Sequence, residues 1–351
     1  MMPAASSFSG NPLLARLQET LRAEPLQTSR TRIPLVVVMP VYEDRASATA
    51  LIADLAVHCP EPPYIIAVED GSLRDPLPAS AISDAGLSGE ILYLTRNMGH
   101  QRAIATGLGY VASRFDADAV VVMDSDGEDR PQSIAALLEQ LEQNDVDAVV
   151  AQRRKRSETF SFRMFYVVYR MIFHALTGRA IRFGNFTALS GKAVRRLAAM
   201  QEVWVHFAAS LMVSRLRVGA AATDRGVRYA GKSQMNFVSL SLHGLRSIMV
   251  FAEDVLVRVG LFCAALAGVA VALLTTAVAL KLIGFATPGW FSVASGILII
   301  ILMQSGILMF TTLMVSGIVR SAPPLTFAQI DLLVDHIDKV SGAPMQAAAQ
   351  S

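Results

Sequence analysis

Two long apolar runs near the carboxyl terminus constrain what this 351-residue chain can fold into more than any other feature. Val259 to Leu280 contains no charged residue, and after Lys281 a second uncharged run extends to Val319. About 20 apolar residues are enough to cross a bilayer as a helix. The runs therefore predict a hairpin of two membrane-spanning helices. The alternative is a pair of buried helices in a soluble core, which the length of the runs and their lack of a polar face disfavour.

The charges that flank these runs indicate how the hairpin is oriented. Arg258 precedes the first run and Arg320 follows the second, whereas the connection carries one cation, Lys281. Because cytosolic segments of membrane proteins are enriched in Lys and Arg, both ends are predicted in the cytosol and the hairpin tip outside. Residues 1–32 contain no apolar core of signal-peptide length, which agrees with a cytosolic amino terminus.

The composition supports a chain with a soluble part and a membrane part. It is 53% hydrophobic and 17% charged, with a mean hydropathy of +0.43. The expected order is a mobile leader at 1–32, an α/β domain at 33–235, an amphipathic helix on the membrane surface at 236–257, the hairpin at 258–320 and a cytosolic tail at 321–351. For the amphipathic helix, packing on the soluble domain is the alternative. Within the tail, Ala328 to Val340 is predicted to form a short helix.

The overall charge and the cysteines argue against two classes of protein. A net charge of +2 gives no electrostatic support for nucleic-acid binding. Cys59 lies in the soluble part and Cys263 in an apolar run, so no disulfide framework is predicted and a reducing compartment is suitable.

The soluble part alternates short β-branched runs with stretches of helical spacing, which predicts an α/β fold with a mostly parallel, doubly wound sheet. The predicted strands are Ile33 to Met39, Tyr64 to Glu69, Glu90 to Leu94, Ala119 to Met123 and Asp147 to Ala151. The predicted helices between them are Ala46 to Val57, Gln101 to Ser113 and Pro131 to Gln143.

Polar segments follow the first four strands, at the sheet edge where ligands of such folds bind. These segments are Pro40 to Glu43, Glu69 to Ser72, Arg96 to His100 and Asp124 to Asp129. The turn after the first strand is not G-x-G-x-x-G, and no G-x-x-x-x-G-K-[ST] occurs anywhere. A dinucleotide-binding fold and a P-loop are therefore excluded.

The fourth segment, Asp124-Ser125-Asp126-Gly127-Glu128-Asp129, carries four carboxylates in six residues. Such a cluster destabilises a strand end unless a cation or solvent relieves the repulsion. Asp124, Asp126 and Glu128 alternate and could share one face, and their hard oxygen atoms suit Mg²⁺ or Mn²⁺. A solvated acidic turn is the alternative.

Asp70 could accept a hydrogen bond from a base or ribose, or cap the next turn, and Asn97 could donate to ribose or phosphate.

These segments together resemble family 2 glycosyltransferases with the GT-A fold, in particular the dolichyl- and polyprenyl-phosphate sugar synthases, including the GtrB type. The matching segments are V-V-V-M-P-V-Y-E at 36–43, E-D-G-S at 69–72, N-M-G-H-Q-R-A-I-A-T-G-L at 97–108, M-D-S-D-G-E-D-R-P at 123–131 and G-N-F-T-A-L-S at 184–190. The resemblance covers roughly 32–320, including the two apolar runs.

The resemblance implies roles for individual residues. Pro40, Tyr42 and Glu43 would line the nucleotide pocket, and Asp70 would contact the nucleobase. Asp124, Asp126 and Glu128 would be the metal positions, although relatives often have Gln in place of Glu128. The donor would be a UDP- or GDP-linked hexose.

A basic turn followed by an apolar, aromatic stretch is the predicted acceptor segment. Arg153 follows the fifth predicted strand and Arg163 recurs in the stretch beyond it. These cations would hold a lipid phosphate beside the membrane, although contact with anionic headgroups alone is the alternative. The family also places phosphate-binding arginines here.

The predicted reaction is an inverting transfer to polyprenyl phosphate on the cytosolic face, with Asp124, Asp126 and Arg153 as the catalytic residues. The ionised acceptor phosphate needs no general base. Another lipid or a lipid-linked saccharide is the alternative acceptor. The alternative to an enzyme is a membrane scaffold that retains a degenerate transferase fold without activity. The resemblance places the enzyme in a bacterial inner membrane, where paired spans can form a homo-oligomer.

Overall fold

The computed structural model describes residues 30–143, 145–153, 160–180, 183–230, 237–285, 289–321 and 332–342. For residues 153, 160–166, 168, 237–241 and 316–321 it describes the backbone alone. The predicted leader, residues 1–32, lies almost wholly outside the described residues.

The α/β domain is built on one eight-stranded sheet with the order β7-β5-β6-β4-β1-β2-β3-β8. The strands are β1 Thr31–Val41, β2 Tyr64–Glu69, β3 Gly89–Leu94, β4 Phe115–Val122, β5 Ala148–Arg153, β6 Thr187–Ser190, β7 Val218–Thr223 and β8 Val334–Val340. Neighbours are parallel at β1–β2, β1–β4, β2–β3 and β5–β7, and antiparallel at β3–β8, β4–β6 and β5–β6. The predicted α/β class with a mostly parallel sheet is confirmed, and the five predicted strands are β1 to β5.

Helices cover both faces of the sheet and extend beyond it. They are α1 Arg45–His58, α2 Ser80–Ser83, α3 His100–Arg114, α4 Ile134–Gln143, α5 Phe160–Thr177, α6 Gly191–Ala198, α7 Phe207–Val213, α8 Phe237–Met249, α9 Ala252–Leu282 and α10 Trp290–Ser321. Short 3-10 turns lie at Pro131–Ser133 and Gln201–Trp204.

The central strand β1 reads as a continuous apolar run because both of its faces are buried. Val36 and Val38 pack into the core on one side of the sheet, whereas Val37 and Met39 pack into the core on the other. Helix α3 lies close to the sheet because Gly107 has no side chain: a Cβ there would lie 2.6 Å from Cγ1 of Val38. This close packing fixes the start of α3 beside the carboxyl ends of the strands.

The two predicted spans are the helices α9 and α10, which pack against each other. Each has a mean hydropathy of 2.3, and only 17% and 6% of their most apolar windows are buried. The buried positions Cys263, Ala270 and Ala277 recur every seven residues of α9, as expected for a packed helix pair. Because the remaining faces are apolar and exposed, these are candidate membrane helices rather than core helices. Cys263 and Cys59 are both free thiols.

Helix α8 occupies the predicted amphipathic segment. Its side toward the domain packs through Ile248 against a small cluster that contains Phe173 and Phe251. Leu242, Leu245 and Met249 are 50%, 57% and 63% exposed. The helix therefore packs on the domain with one face, as in the alternative interpretation, and exposes an apolar face on the other side. The predicted contact of this apolar face with a membrane stays a prediction.

The predicted tail helix from Ala328 to Val340 is wrong over its described part. Residues 334–340 form strand β8, which pairs antiparallel with β3, and 328–331 lie outside the described residues. Val334 and Ile337 pack against the core, and His336 stacks on Tyr93 with ring centroids 4.2 Å apart. The apolar spacing of three residues resembled a helix, but the open edge of β3 offers backbone hydrogen bonds that a strand satisfies.

Candidate active site

The loop after β1 is tied to the loop after β2 through Glu43. One carboxylate oxygen of Glu43 accepts the backbone N–H groups of Leu73 and Arg74 at 2.9 and 3.2 Å, and the other accepts that of Asp75 at 3.1 Å. The Leu73 amide is the main reason that the pKa of Glu43 is lowered. Glu43 thus shapes the rim of the predicted nucleotide pocket by holding a loop. Beside it, Tyr42 is 45% exposed.

Asp70 joins the loops after β2 and β3. Its two carboxylate oxygens accept the backbone N–H groups of Met98 at 2.7 Å and Gly99 at 2.9 Å. Burial raises the pKa of Asp70, although these hydrogen bonds act in the opposite direction. A Cβ on Gly71 would lie 2.5 Å from the backbone of Asn97, so the two loops are in direct contact. Asp70 and Asn97, which are both predicted to bind the nucleotide sugar, therefore lie close together. Asp70 is 2% exposed, whereas Asn97 is exposed.

Asp124 lies at the end of β4 within a polar cluster. Its Oδ1 lies 3.1 Å from Nε2 of His100 and accepts from Nδ2 of Asn185 at 3.3 Å. The surrounding protein lowers the pKa of His100, but the carboxylates of Asp124, Asp126 and Asp70 outweigh this effect and raise it. The loop before β6 thus joins the rim through Asn185.

Asp126 and Glu128 are paired with arginines that the sequence analysis did not identify. Arg228 donates to Oδ2 of Asp126 at 2.6 Å, and Arg225 donates to both carboxylate oxygens of Glu128 at 2.6 Å. Burial is the main reason that the pKa of Asp126 is raised, and the charge of Asp124 adds to it. The sequence feature that could have indicated these ion pairs is the two arginines, three residues apart, that follow β7.

The segment with these arginines lies directly on the acidic turn. The backbone N–H of Gly226 donates to the carbonyl of Glu128 at 2.9 Å, and that of Tyr229 donates to the carbonyl of Asp126 at 3.0 Å. The Tyr229 hydroxyl also donates to Asp54 of α1. Gly127, with φ of 87°, lies against the Tyr229 ring, and a Cβ there would be 2.3 Å from it. We call residues 225–229 the arginine segment.

The donor set at this turn fits a divalent cation in part. Mg²⁺ typically uses one or two protein carboxylates and completes its shell with water and phosphate oxygens. Asp124 and Asp126 supply such a pair. Burial and, to a smaller extent, the charge of Asp124 raise the pKa of Asp126, and a cation would relieve this repulsion. Arg228 also pairs with Asp126, and Arg225 contacts both carboxylate oxygens of Glu128. In the described part of the chain, no three His, Cys, Asp or Glu side chains converge as a ready-made metal site.

The predicted acceptor arginines are only partly described. Arg153 ends β5, where its backbone pairs with that of Thr223, and Arg163 lies in α5. Their side chains and residues 154–159 lie outside the described residues, so the phosphate-binding role of both arginines stays a prediction. In the described part of α5, Val167, Met171 and Ile172 are 47%, 68% and 49% exposed.

Comparison with known proteins shows what the domain around this rim is similar to. Residues 36–204 match the family model described as Glycosyl transferase family 2. This range runs from β1 through the acidic turn and β6 to the 3-10 turn at Gln201–Trp204. It includes all four loops of the rim and Asn185, but not the arginine segment.

Two curated relatives are named as polyprenyl-phosphate enzymes. The dodecaprenyl-phosphate galacturonate synthase of Rhizobium johnstonii is 23% identical over 60% of this chain and 63% of its own length. The undecaprenyl-phosphate 4-deoxy-4-formamido-L-arabinose transferase of Aeromonas hydrophila is 32% identical over 38% of this chain and 41% of its own. The chain thus spans less than two thirds of each of these relatives.

Among solved structures, the chain is similar to glucosyl-3-phosphoglycerate synthase from Mycobacterium tuberculosis. That structure is in complex with Mn²⁺, UDP and glucosyl-3-phosphoglycerate. The identity is 16%, the TM-score is 0.41, and the match covers 66% of this chain and 81% of that one.

Proposed function

We propose that this chain, whose residues 36–204 match the model described as Glycosyl transferase family 2, is an inverting membrane hexosyltransferase that moves a sugar from a nucleotide diphosphate donor to a polyprenyl phosphate. The observation that carries the proposal is the pair Asp124 and Asp126, which ends the buried strand β4 on a rim shared with Asp70 and Asn97. The adjoining apolar helices and the names of the two curated relatives support a lipid acceptor.

The donor would lie along the rim. Pro40, Tyr42 and the loop held by Glu43 would contact the nucleotide, while Asp70 and Asn97 would face its base and ribose. Asp124 and Asp126 would hold Mg²⁺ or Mn²⁺, which supplies positive charge to the leaving diphosphate. Glu128 belongs to this turn as the partner of Arg225.

The acceptor would enter from the membrane side. Arg153 and Arg163 would hold its phosphate with charge-assisted hydrogen bonds. A phosphate oxygen would then form the bond to the anomeric carbon as the bond to the diphosphate oxygen breaks, and the electron pair would leave with the nucleoside diphosphate. A phosphate monoester near neutral pH is already ionised, so no side chain has to remove a proton. The displacement inverts the configuration.

The same proposal includes the cellular setting. The catalytic domain would face the cytosol of a bacterial cell, the hairpin would span the inner membrane, and the product would serve the cell envelope. Paired spans can also form a homo-oligomer. Nucleic acid is not among the proposed partners, since the net charge of +2 provides no field to attract it.

A donor screen tests the function. Membranes that contain the full chain are incubated with radiolabelled UDP- and GDP-hexoses, polyprenyl phosphate and Mn²⁺ or Mg²⁺, and the lipid extract is analysed. A labelled, mild-acid-labile polyprenyl-phosphate sugar is expected with one donor, and it should be absent with Asp126→Asn. Label in a different lipid would favour the alternative acceptor class, and no labelled lipid with any donor would refute the proposal.

A further inference from the structure

Hydrogen bonds and one covalent chain link form a path from helix α8, which precedes the apolar hairpin, to Asp124. It begins at two histidines, His206 before α7 and His243 on α8, whose Nε2 atoms lie 3.1 Å apart. His206 is 4% exposed. Burial lowers its pKa to about 3, with His243 as the next largest cause, and burial also lowers the pKa of His243. Both rings are therefore neutral near pH 7.

The direction of the hydrogen bond between the histidines follows from the start of α7. Nδ1 of His206 lies 3.2 Å from the backbone N–H of Ala209 and must accept from it, because an amide N–H can only donate. The hydrogen of the neutral ring is then on Nε2, which donates to Nε2 of His243. His206 caps α7 with one nitrogen and holds α8 with the other.

The adjacent peptide continues the path toward the rim. The N–H of Phe207 donates to Oε1 of Gln101 at 2.6 Å, which leaves the Gln101 amide nitrogen to donate to Oδ1 of Asn185 at 3.3 Å. The orientation of Asn185 is fixed in turn, and its amide nitrogen donates to Asp124 at 3.3 Å. Gln101 is 4% exposed, so this order of donors and acceptors is enforced within the protein.

Helix α8 connects this path to the membrane side of the molecule. The Tyr169 hydroxyl of α5 lies 2.6 Å from the hydroxyl of Ser247, and Gly244 lies against the Tyr169 ring. The opposite face exposes apolar side chains, and α9 begins at Ala252, directly after α8. Charged groups that act on His243 are His100, Asp124 and Arg246. A shift of α8 would therefore change the distance between the membrane-side surface and the rim.

We propose that His206 and His243 are positioning residues, which hold α8 at a fixed place relative to Asp124 and so align a membrane-bound acceptor with the donor. The inference rests on the proposed function for its kinetic consequence, but not for the placement of α8. Loss of the hydrogen bond between the two rings leaves a buried N–H without a partner, and α8 moves away from α7. Donor binding uses the loops after β1 to β4, which keep their own contacts through Glu43, Asp70 and Arg228, and is unaffected.

Three full-length variants in lipid nanodiscs test the proposal. His243→Leu removes the acceptor nitrogen, and His206→Asn keeps a cap for α7 but is too short to reach α8. His243→Gln keeps an acceptor and is the matched control. The measurements are hydrogen exchange of the amides of 237–249, the affinity for nucleoside diphosphate with Mn²⁺, and the KM and kcat for polyprenyl phosphate.

The expected result distinguishes an effect on acceptor binding from an effect on donor binding. In His243→Leu and His206→Asn, exchange in α8 becomes about tenfold faster and the KM for polyprenyl phosphate rises roughly 5- to 20-fold, as the loss of one buried hydrogen bond predicts. Nucleoside diphosphate affinity stays unchanged, and His243→Gln remains within about threefold of the natural chain. Unchanged exchange in α8 overturns the proposal, and so does an equal loss of donor and acceptor affinity. If the natural chain forms no lipid product, the proposed function fails while the exchange measurement still decides the placement of α8.

Discussion

At the scale of single residues, the acidic turn is held together by partners from distant parts of the chain. Asp124 contacts His100 and Asn185, Asp126 pairs with Arg228, and Glu128 pairs with Arg225. Asp126 and Glu128 each pair with an arginine, but the arginine contacts one carboxylate oxygen of Asp126 and both oxygens of Glu128. Asp124 and Asp126 therefore stay the proposed cation ligands, while Arg225 neutralises the charge of Glu128. The two classes of carboxylate can be distinguished by mutation.

Asp126→Asn should strongly reduce turnover without unfolding the protein. The change keeps the side-chain shape but removes a charge that supports several kcal/mol of transition-state stabilisation, so kcat should fall about 10³-fold. Glu128→Gln is the matched variant and should lose less than about tenfold, because its partner is Arg225. Initial rates and Mn²⁺ binding measured by electron paramagnetic resonance provide the check. Equal losses in both variants would show that Glu128 is also a metal ligand.

Gly127→Ala should destabilise the protein more than Gly86→Ala, although both glycines have a positive φ. Gly127 and Gly86 have φ of 87° and 71°, but only at Gly127 would a Cβ meet the Tyr229 ring. Gly86→Ala should cost about 1 kcal/mol for its backbone, and Gly127→Ala about 1–3 kcal/mol more for the overlap. Thermal unfolding in detergent measures the difference. Tyr229→Ala in the Gly127→Ala background should recover the steric part, and no recovery would contradict this explanation.

At the scale of elements, β8 shows how the end of the chain returns to the catalytic sheet. It covers the edge of β3, and Lys339 lies 3.8 Å from the buried carboxylate of Glu90. Glu90 also accepts from the hydroxyls of Tyr64 and Tyr110. The strand therefore protects a sheet edge and connects the region after the hairpin to the domain before it.

Ile337→Asp should loosen β8 and expose the edge of β3. Ile337 packs against the core, and an unpaired carboxylate there should lower the free energy of unfolding by about 2–3 kcal/mol. Asp335→Asn on the same strand is the control, since this side chain is 68% exposed and the change should stay within about 0.5 kcal/mol. Thermal unfolding and size-exclusion chromatography measure stability and edge-driven association. Equal stability of the two variants would mean that β8 contributes little to the sheet.

At the scale of the whole molecule, a polar rim and two apolar helices are joined by α8 and the Phe173–Phe251 cluster. The rings of Phe173 and Phe251 contact edge to face with centroids 5.6 Å apart. Arg179 adds to this junction, since its guanidinium lies 5.3 Å from the Phe251 ring and donates to the carbonyl of Met212 at 2.6 Å. The hairpin is thereby held beside the domain, which is the arrangement that the proposed transfer from a water-soluble donor to a lipid acceptor requires.

Cysteine labelling should establish the orientation of the hairpin. Ile283→Cys, at the end of α9, is expected to react with a membrane-impermeant maleimide in intact cells, whereas Val57→Cys on α1 should react only after lysis. Both positions are well exposed, at 66% and 75%. The natural cysteines give a low background: burial raises the pKa of Cys59 to about 12 and Cys263 is buried. Labelling of Val57→Cys in intact cells would reverse the predicted topology.

The sequence by itself determined the alternation of strands and helices, the polar ends of β1 to β4 and the two apolar helices. These follow from local patterns, and parallel strands necessarily bring their carboxyl ends to one edge. It also placed Asp70, Asn97, Asp124 and Asp126 on that edge. The assignment of β8 as a helix was wrong because a short apolar spacing suits either structure until a neighbouring edge is known.

Only the tertiary structure decided which groups these residues contact. Arg228 and Asp126 are 102 residues apart in sequence, and Arg225 and Glu128 are 97 apart. The path from His243 to Asp124 likewise joins α8, α7, α3 and the loop before β6. Such contacts leave no periodic signal, because each depends on chain segments that meet only after the sheet has formed. The local pattern therefore identified the acidic turn, and folding paired its Asp126 and Glu128 with arginines from a distant segment.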